Sequence, residues 1–497
     1  MKKLISLLLA LIMAMSVFAC TKAEKDKPEA TTPTTTPEVT TPAVTTPAAT
    51  TTKDPNALDL PDVSFDGAKY RIASEEGNVK IEVFAGEGAT DLRSDALMRR
   101  NGAVEDGYDV KITPVAYSGA SNVYSHAQSI INMILSEEDY CDISLTYAVS
   151  TGLIVSAGCA VNWMSFENTD FSKLYWISGA NELLIFDDAI YTPVGDMCIS
   201  TIATTYGMFY NKTKGNQTKG LTDQIFEAVK NKTWTIDYFN GIVSEVYSDI
   251  DNVNGPSEDD YYGFTAENLT NLDVWQFAFD IPMVVQDEET VLKCVFNSER
   301  TAIALDKINR LYWENNGSNI FASTACTGKF IEGKALFHTT WLDQCFYGLR
   351  NMEDSFTILP YPMYDDNQEN YKTGMMDNYN VITMPFTCPD KEMASIITEA
   401  MNYYSREYVY PAYYEESLQK QAVQDPESVE MLDIIMEGRT FDLGTIFSPS
   451  LAGLSMCFRS AVSNNTTDFA TFFATIEERV SIGISDLIAS YEVNKQN

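Results

Sequence analysis

The sequence predicts an α/β protein built as two lobes, and three observations point there. About 440 of the 497 residues, from Ala57 onward, have the composition of folded protein, long for one ordinary domain and comfortable for two. That region opens with strands and helices in alternation, and a second run of the same kind begins near Met208. Residues 69–73 are a short strand, and 74–78 a polar turn. Residues 95–104 have helical spacing, with Leu97, Met98 and Val104 apolar, and the helix ends near Gly107. Residues 109–115 alternate as a strand, and 123–135 are amphipathic with Ile130, Ile131 and Ile134 on one stripe. A strand over 142–146 completes a strand–helix–strand–helix–strand order, which calls for a largely parallel sheet.

In the second run, residues 208–212 form an apolar strand ending in a polar turn, and 221–230 are helical. Residues 234–239 open a further helix with Thr235 as its N-cap. The clearest helix lies between Pro389 and Tyr404. Pro389 suits its first turn, and Met393, Ile396, Ile397, Ala400, Met401 and Tyr404 form its apolar face. There is no internal repeat.

The N-terminus reads differently. Lys2 and Lys3 precede an apolar stretch over residues 4–17 that is too short for a good membrane span. The run Ser16-Val17-Phe18-Ala19-Cys20 resembles the lipobox of bacterial lipoproteins, which implies that residues 1–20 form a lipoprotein signal peptide cleaved just before Cys20, the cysteine then carrying the lipid as the mature N-terminus. Phe18 is bulkier than that pattern usually has, which leaves ordinary cleavage without lipid as the other reading. Residues 31–52 hold twelve threonines and four prolines with Glu38 as the single charge, so they cannot bury apolar surface. Residues 21–56 are read as a solvated tether able to reach about 100 Å from a membrane, or as an unstructured end with no role.

The formal charge of −36 opposes binding to nucleic acid or anionic lipid. Beyond Cys20, eight cysteines are scattered without a CxxC pair; a chain this long needs no staples, so buried free thiols are expected. The two histidines, His126 and His338, form no HExxH and would have to converge from distant segments to share a metal, and no G-x-S-x-G, phosphate loop or dinucleotide fingerprint occurs. Seventy acidic residues make a carboxylate pair inevitable somewhere, so counting leaves a glycosidase open while no signature favours one. The chain is read as a binding protein, not an enzyme, with no cofactor.

Five phrases then occur in order. They are Met208-Phe209-Tyr210-Asn211-Lys212, Lys232-Thr233-Trp234-Thr235, Tyr262-Gly263-Phe264, the segment from Phe330 through Gly333-Lys334-Ala335 to Phe337, and Ile358-Leu359-Pro360-Tyr361-Pro362. In this order they resemble passages of the bacterial extracellular solute-binding proteins, the sugar-transport type (family 1) that serves ABC importers. The resemblance implies a periplasmic-binding-protein-like type II fold, two α/β lobes joined by a hinge with the ligand in the cleft between them. Lobe 1 is then expected at 66–195 with 376–435, and lobe 2 at 200–375 with 440–497. The chain crosses near 192–204, 375–384 and 439–447. The implied ligand is a carbohydrate, an oligosaccharide first, and the implied partners are ABC permease and ATPase subunits. The lipid would hold the protein to the outer face of the cell membrane. A receptor for another solute such as a peptide, or a surface adhesion lipoprotein, is the alternative.

A sugar needs aromatic platforms for its C–H faces and carboxylates or amides for its hydroxyls. The resemblance offers Trp341, just after a strand over 335–339, as a stacking platform; a core tryptophan is the competing role. Trp275 matches a family region that approaches the cleft, although Trp275, Phe277 and Phe279 also suit a core. Lobe 1 offers Glu76 after the first strand and Tyr147 after the third. Asp196 sits at the first crossing, and Asp377, Asn378 and Tyr379 at the second; each could equally be a solvated loop residue. Asp249, Asp251 and Asn254-Gly255 resemble a calcium-loop-like stretch of many relatives. Val253 breaks the ligand spacing and Glu258, Asp259 and Asp260 do not restore it, which favours a polar surface loop with no metal.

Overall fold

Two separate sheets organise the chain. The computed structural model describes residues 56–496 apart from 86–87, 120, 251, 253–256, 258, 288–290, 322–324 and 424. The signal peptide, Cys20 and the tether lie outside the described residues. Among the described residues, no helix is long and apolar enough to cross a membrane.

The first sheet holds β1 (Ala68–Glu75), β2 (Val110–Tyr117), β3 (Ile143–Tyr147) and, from far along the chain, β11 (Asn380–Thr383). Its order is β11-β3-β1-β2, with β1 parallel to both β2 and β3 and β11 antiparallel to β3. The expected strand over 69–73 is longer because Glu75 still pairs with Tyr117 in the parallel ladder. The expected polar turn after it is a helical turn, Glu76–Asn78, that runs on through Val83. The next helix, Leu92–Tyr108, starts earlier than its apolar spacing suggests. Asp91 caps it by accepting hydrogen bonds from the Ser94 amide (3.1 Å) and hydroxyl (2.7 Å), a stop that no apolar pattern records.

The second sheet has the order β10-β4-β9-β5-β8. It is built from β4 (Tyr206–Asn211), β5 (Tyr262–Glu267), β8 (Ser318–Phe321), β9 (Ala335–Trp341) and β10 (Phe356–Leu359). β5 runs parallel to β8 and β9, whereas β4 is antiparallel to β9 and β10. A small hairpin joins β6 (Val284–Gln286) to β7 (Leu292–Cys294). All five phrases of the sequence meet in or against this sheet. β4 carries the first, β5 the Tyr-Gly-Phe and β9 the Ala335-Leu336-Phe337 portion, while β10 supplies Ile358-Leu359. Trp234 and Thr235 are tied to it through the Thr235↔Met363 bridge. Thr235 does cap the helix Ile236–Val246, accepting from the Tyr238 amide at 3.3 Å.

Gly263 explains itself here. A Cβ built on it would lie 2.3 Å from the Val243 carbonyl oxygen, so only glycine lets that helix rest on β5. Gly333 turns the chain from a helix into β9 with φ +68°, a conformation that favours glycine. Farther on, Asp390 caps the helix Lys391–Tyr404 at 2.9 Å, which leaves Pro389 outside the first turn. The eight described cysteines are free, and all but Cys294 are buried.

Three stretches of chain run side by side where it passes between the sheets. Thr205 bridges Met375, Thr373 bridges Arg439, and the Met376 amide donates to the Thr204 carbonyl at 2.9 Å. The helix Glu477–Asn494 packs on the helix Ala148–Ser156 and on β7. Its Asn494 accepts from the Ala160 amide (2.8 Å) and donates to the Val155 carbonyl (2.7 Å).

Candidate functional site

In open α/β sheets, ligand-binding loops gather at the carboxyl ends of the strands. At that edge of the first sheet, β1 ends in Glu75 and β3 in Tyr147, whose hydroxyl donates to the Glu75 carboxylate. Asn78 donates to the Asn380 side chain at 3.2 Å, and Asn380 in turn donates to the fully buried Glu82 at 2.9 Å. The loop before β11 is pinned over the end of β3, with the Val149 amide on the Asp377 carbonyl (3.1 Å) and the Ala148 amide on the Tyr379 carbonyl (2.8 Å).

The second sheet presents Glu267 at the end of β5, Trp341 at the end of β9 and Tyr206 at the start of its antiparallel neighbour β4. Tyr206 and Trp341 meet edge to face with centroids 6.2 Å apart, and the Tyr206 hydroxyl bonds that of Thr270 at 2.8 Å. Arg459, on the short helix Cys457–Ser463, links the two edges. Its Nε donates to Asp273 at 3.1 Å, its Nη2 engages the other Asp273 oxygen, and the same nitrogen lies 3.6 Å from Asp377. Asp273 belongs to the second sheet's edge and Asp377 to the loop over β3, so one guanidinium spans both.

Burial governs the electrostatics. It pushes the Asp273 carboxyl up to about 7, against the pull of Arg459, and raises Asp377 against the same guanidinium. Burial also raises Glu267, with no hydrogen bond or cation opposing it. Elsewhere it pushes Asp196 to about 6, Glu399 to about 7 and Asp442 to about 6, and lowers His126 and His338 to about 4.

A pH dependence follows. Each raised carboxyl keeps its proton in the folded protein at pH values where the unfolded chain has lost it. Its contribution is therefore complete below about pH 4 and is lost as pH rises through 6 to 7. The two histidines act in the opposite sense between about pH 4 and 6.5, but two such groups face the four carboxyls pushed up to about 6 or 7, besides Asp377 and Glu267, which are raised as well. Melting curves should show a higher Tm at about pH 5 than at about pH 8, and the reverse order would contradict the burial of these acids.

The residues expected from sequence fall into two groups. Tyr147, Trp341 and Asp377 are part-buried at the facing edges, with Trp341 as the last residue of its strand and not beyond it. The others lie elsewhere or point away. Glu76 is exposed on the helical turn, and the carboxylate that meets Tyr147 is its neighbour Glu75. Asp196 is 5% exposed, 3.5 Å from Arg406. Trp275 is wholly buried, its indole donating to the Tyr312 hydroxyl at 3.1 Å. Tyr379 is buried edge-on against Phe441.

Glu75, Tyr206, Glu267, Asp273 and Arg459 were not expected. Glu267 could have been found by running the Tyr262-Gly263-Phe264 strand to its end, and Asp273 stands two residues before Trp275. Arg459 carries no local signal.

Asp251, Val253, Asn254, Gly255 and Glu258 lie outside the described residues. The neighbouring acids serve the loop itself. Asp260 accepts from the Ile250 and Ser257 amides at 3.0 and 2.8 Å, and Asp259 pairs with Lys334 at 3.1 Å. Among the described residues, no group of three His, Cys, Asp or Glu side chains could hold a metal ion.

A cavity of about 970 Å³ lies away from this edge, lined by Arg93, Asp343, Tyr347, Tyr413 and Lys212 among others. Two of its charged groups are already engaged, Lys212 with Asp425 at 2.8 Å and Asp343 with the Tyr413 hydroxyl at 2.7 Å. The facing strand ends, where polar groups from both sheets converge, are the better candidate despite its size.

No protein-family model and no curated protein matches the sequence. Solved structures do match. An ABC substrate-binding protein from Listeria monocytogenes in complex with cycloalternan superposes with a TM-score of 0.53 at 12% identity, covering 84% of this chain and 100% of its own. The GacH receptor of Streptomyces glaucescens, solved unliganded and with acarbose and a homologue, gives 0.52 at 10% identity, covering 84% and 99%. An ABC transporter solute-binding protein from Thermotoga lettingae bound with α-D-tagatose gives 0.52 at 11%, covering 84% and 100%. At these identities the likeness is one of fold, and the chain has the fold of the ABC solute-binding proteins.

Proposed function

We propose that the protein is the substrate-binding lipoprotein of an ABC importer. It captures a carbohydrate between its two sheets and delivers it to a permease driven by ATPase subunits. The observation that carries this reading is the meeting of Tyr147–Glu75, Trp341–Tyr206 and Asp273–Arg459–Asp377 at the facing strand ends of a solute-binding fold. Aromatic faces beside carboxylates match the apolar faces and hydroxyl rims of a sugar ring. The bound proteins of similar fold hold cycloalternan, acarbose and tagatose, which supports a saccharide and favours an oligosaccharide.

The lobes are assigned to 66–195 with 376–435 and to 200–375 with 440–497, hinged where Thr205 meets Met375. The separate sheets support this division, while the helix Glu477–Asn494 touches elements of both. A thermal-shift screen of the mature protein against mono- and oligosaccharides, amino acids and peptides tests the ligand class. A cognate sugar at a hundred times its Kd adds about 2.7 kcal/mol of stability. Stabilisation by peptides alone overturns the carbohydrate reading.

Anchoring rests on Cys20 and the lipobox-like run before it. In the source bacterium, Cys20→Ser should shift the protein from the membrane fraction to the soluble fraction. Retention in the membrane would remove the lipid from the proposal.

A further inference from the structure

The cavity of about 970 Å³ lies beside β10, the edge strand of the second sheet. Phe356, which opens β10, lines it and pairs with Asn211 at the end of β4, and Lys212 follows directly. Tyr206, the residue that meets Trp341, stands at the other end of β4. At the usual rise per residue those two ends are about 17 Å apart, so the cavity extends well beyond the facing strand ends.

Its walls carry both kinds of surface that a sugar needs. Phe346, Tyr347 and Phe356 supply ring faces, and Tyr347 is 60% exposed. The rings are held in place, with Tyr347 engaging the Arg93 guanidinium through its hydroxyl and Phe346 meeting Tyr413 edge to face at 5.7 Å. The polar groups are equally well set. Asp343 takes the Tyr413 hydroxyl at 2.7 Å, and Lys212 is paired with Asp425 at 2.8 Å. One bond fixes the direction of such a group and uses only part of its capacity, because a carboxylate accepts about four hydrogen bonds and an ammonium donates three.

Charge and size narrow the ligand. Five carboxylates and three cations share the wall, so an anion meets an excess of like charge, while acceptors and donors are both at hand for hydroxyls. The volume lies at the upper end of the range of ligand pockets, room for more than a single sugar unit. We infer that this cavity is a second saccharide site, which takes a neutral oligosaccharide in addition to the one held between the sheets. The inference rests on the carbohydrate reading above and adds a second place of binding to it.

The test is calorimetric titration of the mature protein with glucose, galactose, mannose, xylose and their linear oligomers. A sugar that binds should fill two equivalents per chain. Tyr347→Ala and Arg350→Met, both at exposed positions in the cavity wall, should keep the Tm of the unaltered protein. Each should weaken one equivalent at least tenfold and spare the other, and Trp341→Ala should have the converse effect. A single equivalent, lost with Trp341→Ala and untouched by the cavity variants, shows the inference to be wrong and leaves the carbohydrate reading standing. A single equivalent lost with the cavity variants alone also overturns the second site and moves saccharide binding away from the facing strand ends. If no saccharide binds, the inference falls together with the reading it rests on.

Discussion

Replacing Arg459 with methionine is expected to remove about 3–5 kcal/mol of stability, the usual consequence of stranding a buried carboxylate. The Arg459 side chain is 17% exposed and that of Asp273 12%, so solvent gives the remaining charge little relief. Methionine keeps most of the aliphatic length, which confines the effect to the lost charge and its hydrogen bonds. Urea unfolding measures it through a lower midpoint at unchanged slope. The double variant Arg459→Met with Asp273→Asn should recover part of the loss, because Asp273 is then no longer an uncompensated charge, while Asp377, 3.6 Å from the same guanidinium, still lacks its cation. A single-variant loss under about 1 kcal/mol would mean that water reaches the pair and that the two sheet edges are not fastened there.

Trp234→Ala is expected to be comparably severe, about 3–5 kcal/mol. Trp234 is wholly buried, its indole donates to the Pro360 carbonyl at 3.0 Å, and its ring packs against Phe239 and Phe337 at 5.6 and 5.9 Å. Alanine would open a cavity among three elements and leave that carbonyl without its donor. Trp234→Phe, which fills most of the volume, should cost distinctly less. Equal losses for the two variants would show that the hydrogen bond, and not packing, holds the site.

The contrast between these residues shows what the sequence made legible. Trp234 stands inside a local phrase, and each of the five phrases is a strand or a strand's immediate support within one sheet, so short-range pattern was enough to place them. The helices followed from apolar spacing, while their starts depended on single capping carboxylates such as Asp91. The binding edge is another matter. Arg459 reaches Asp273 and Asp377 from a distant part of the chain, and nothing in its own neighbours signals that. Glu75 and Glu76 are adjacent acids that sequence cannot rank. A two-residue extension of β1 beyond its expected end aims the first at Tyr147 and leaves the second in solvent. Trp275 illustrates the reverse error, an aromatic at a promising position whose ring is turned into the core.

The late arrival of β11 has a consequence for how the protein acquires its structure. β3 keeps an open edge until residues 380–383 have been supplied, and Ala160 and Val155 wait for Asn494. The first sheet therefore depends on pairings across most of the chain, which are slow to form because a long loop must be closed before they are rewarded. A chain threaded outward from its N-terminus cannot complete that sheet on the way and stays pliable until nearly all of it has passed. Slow completion of this kind fits the export that the proposed function entails.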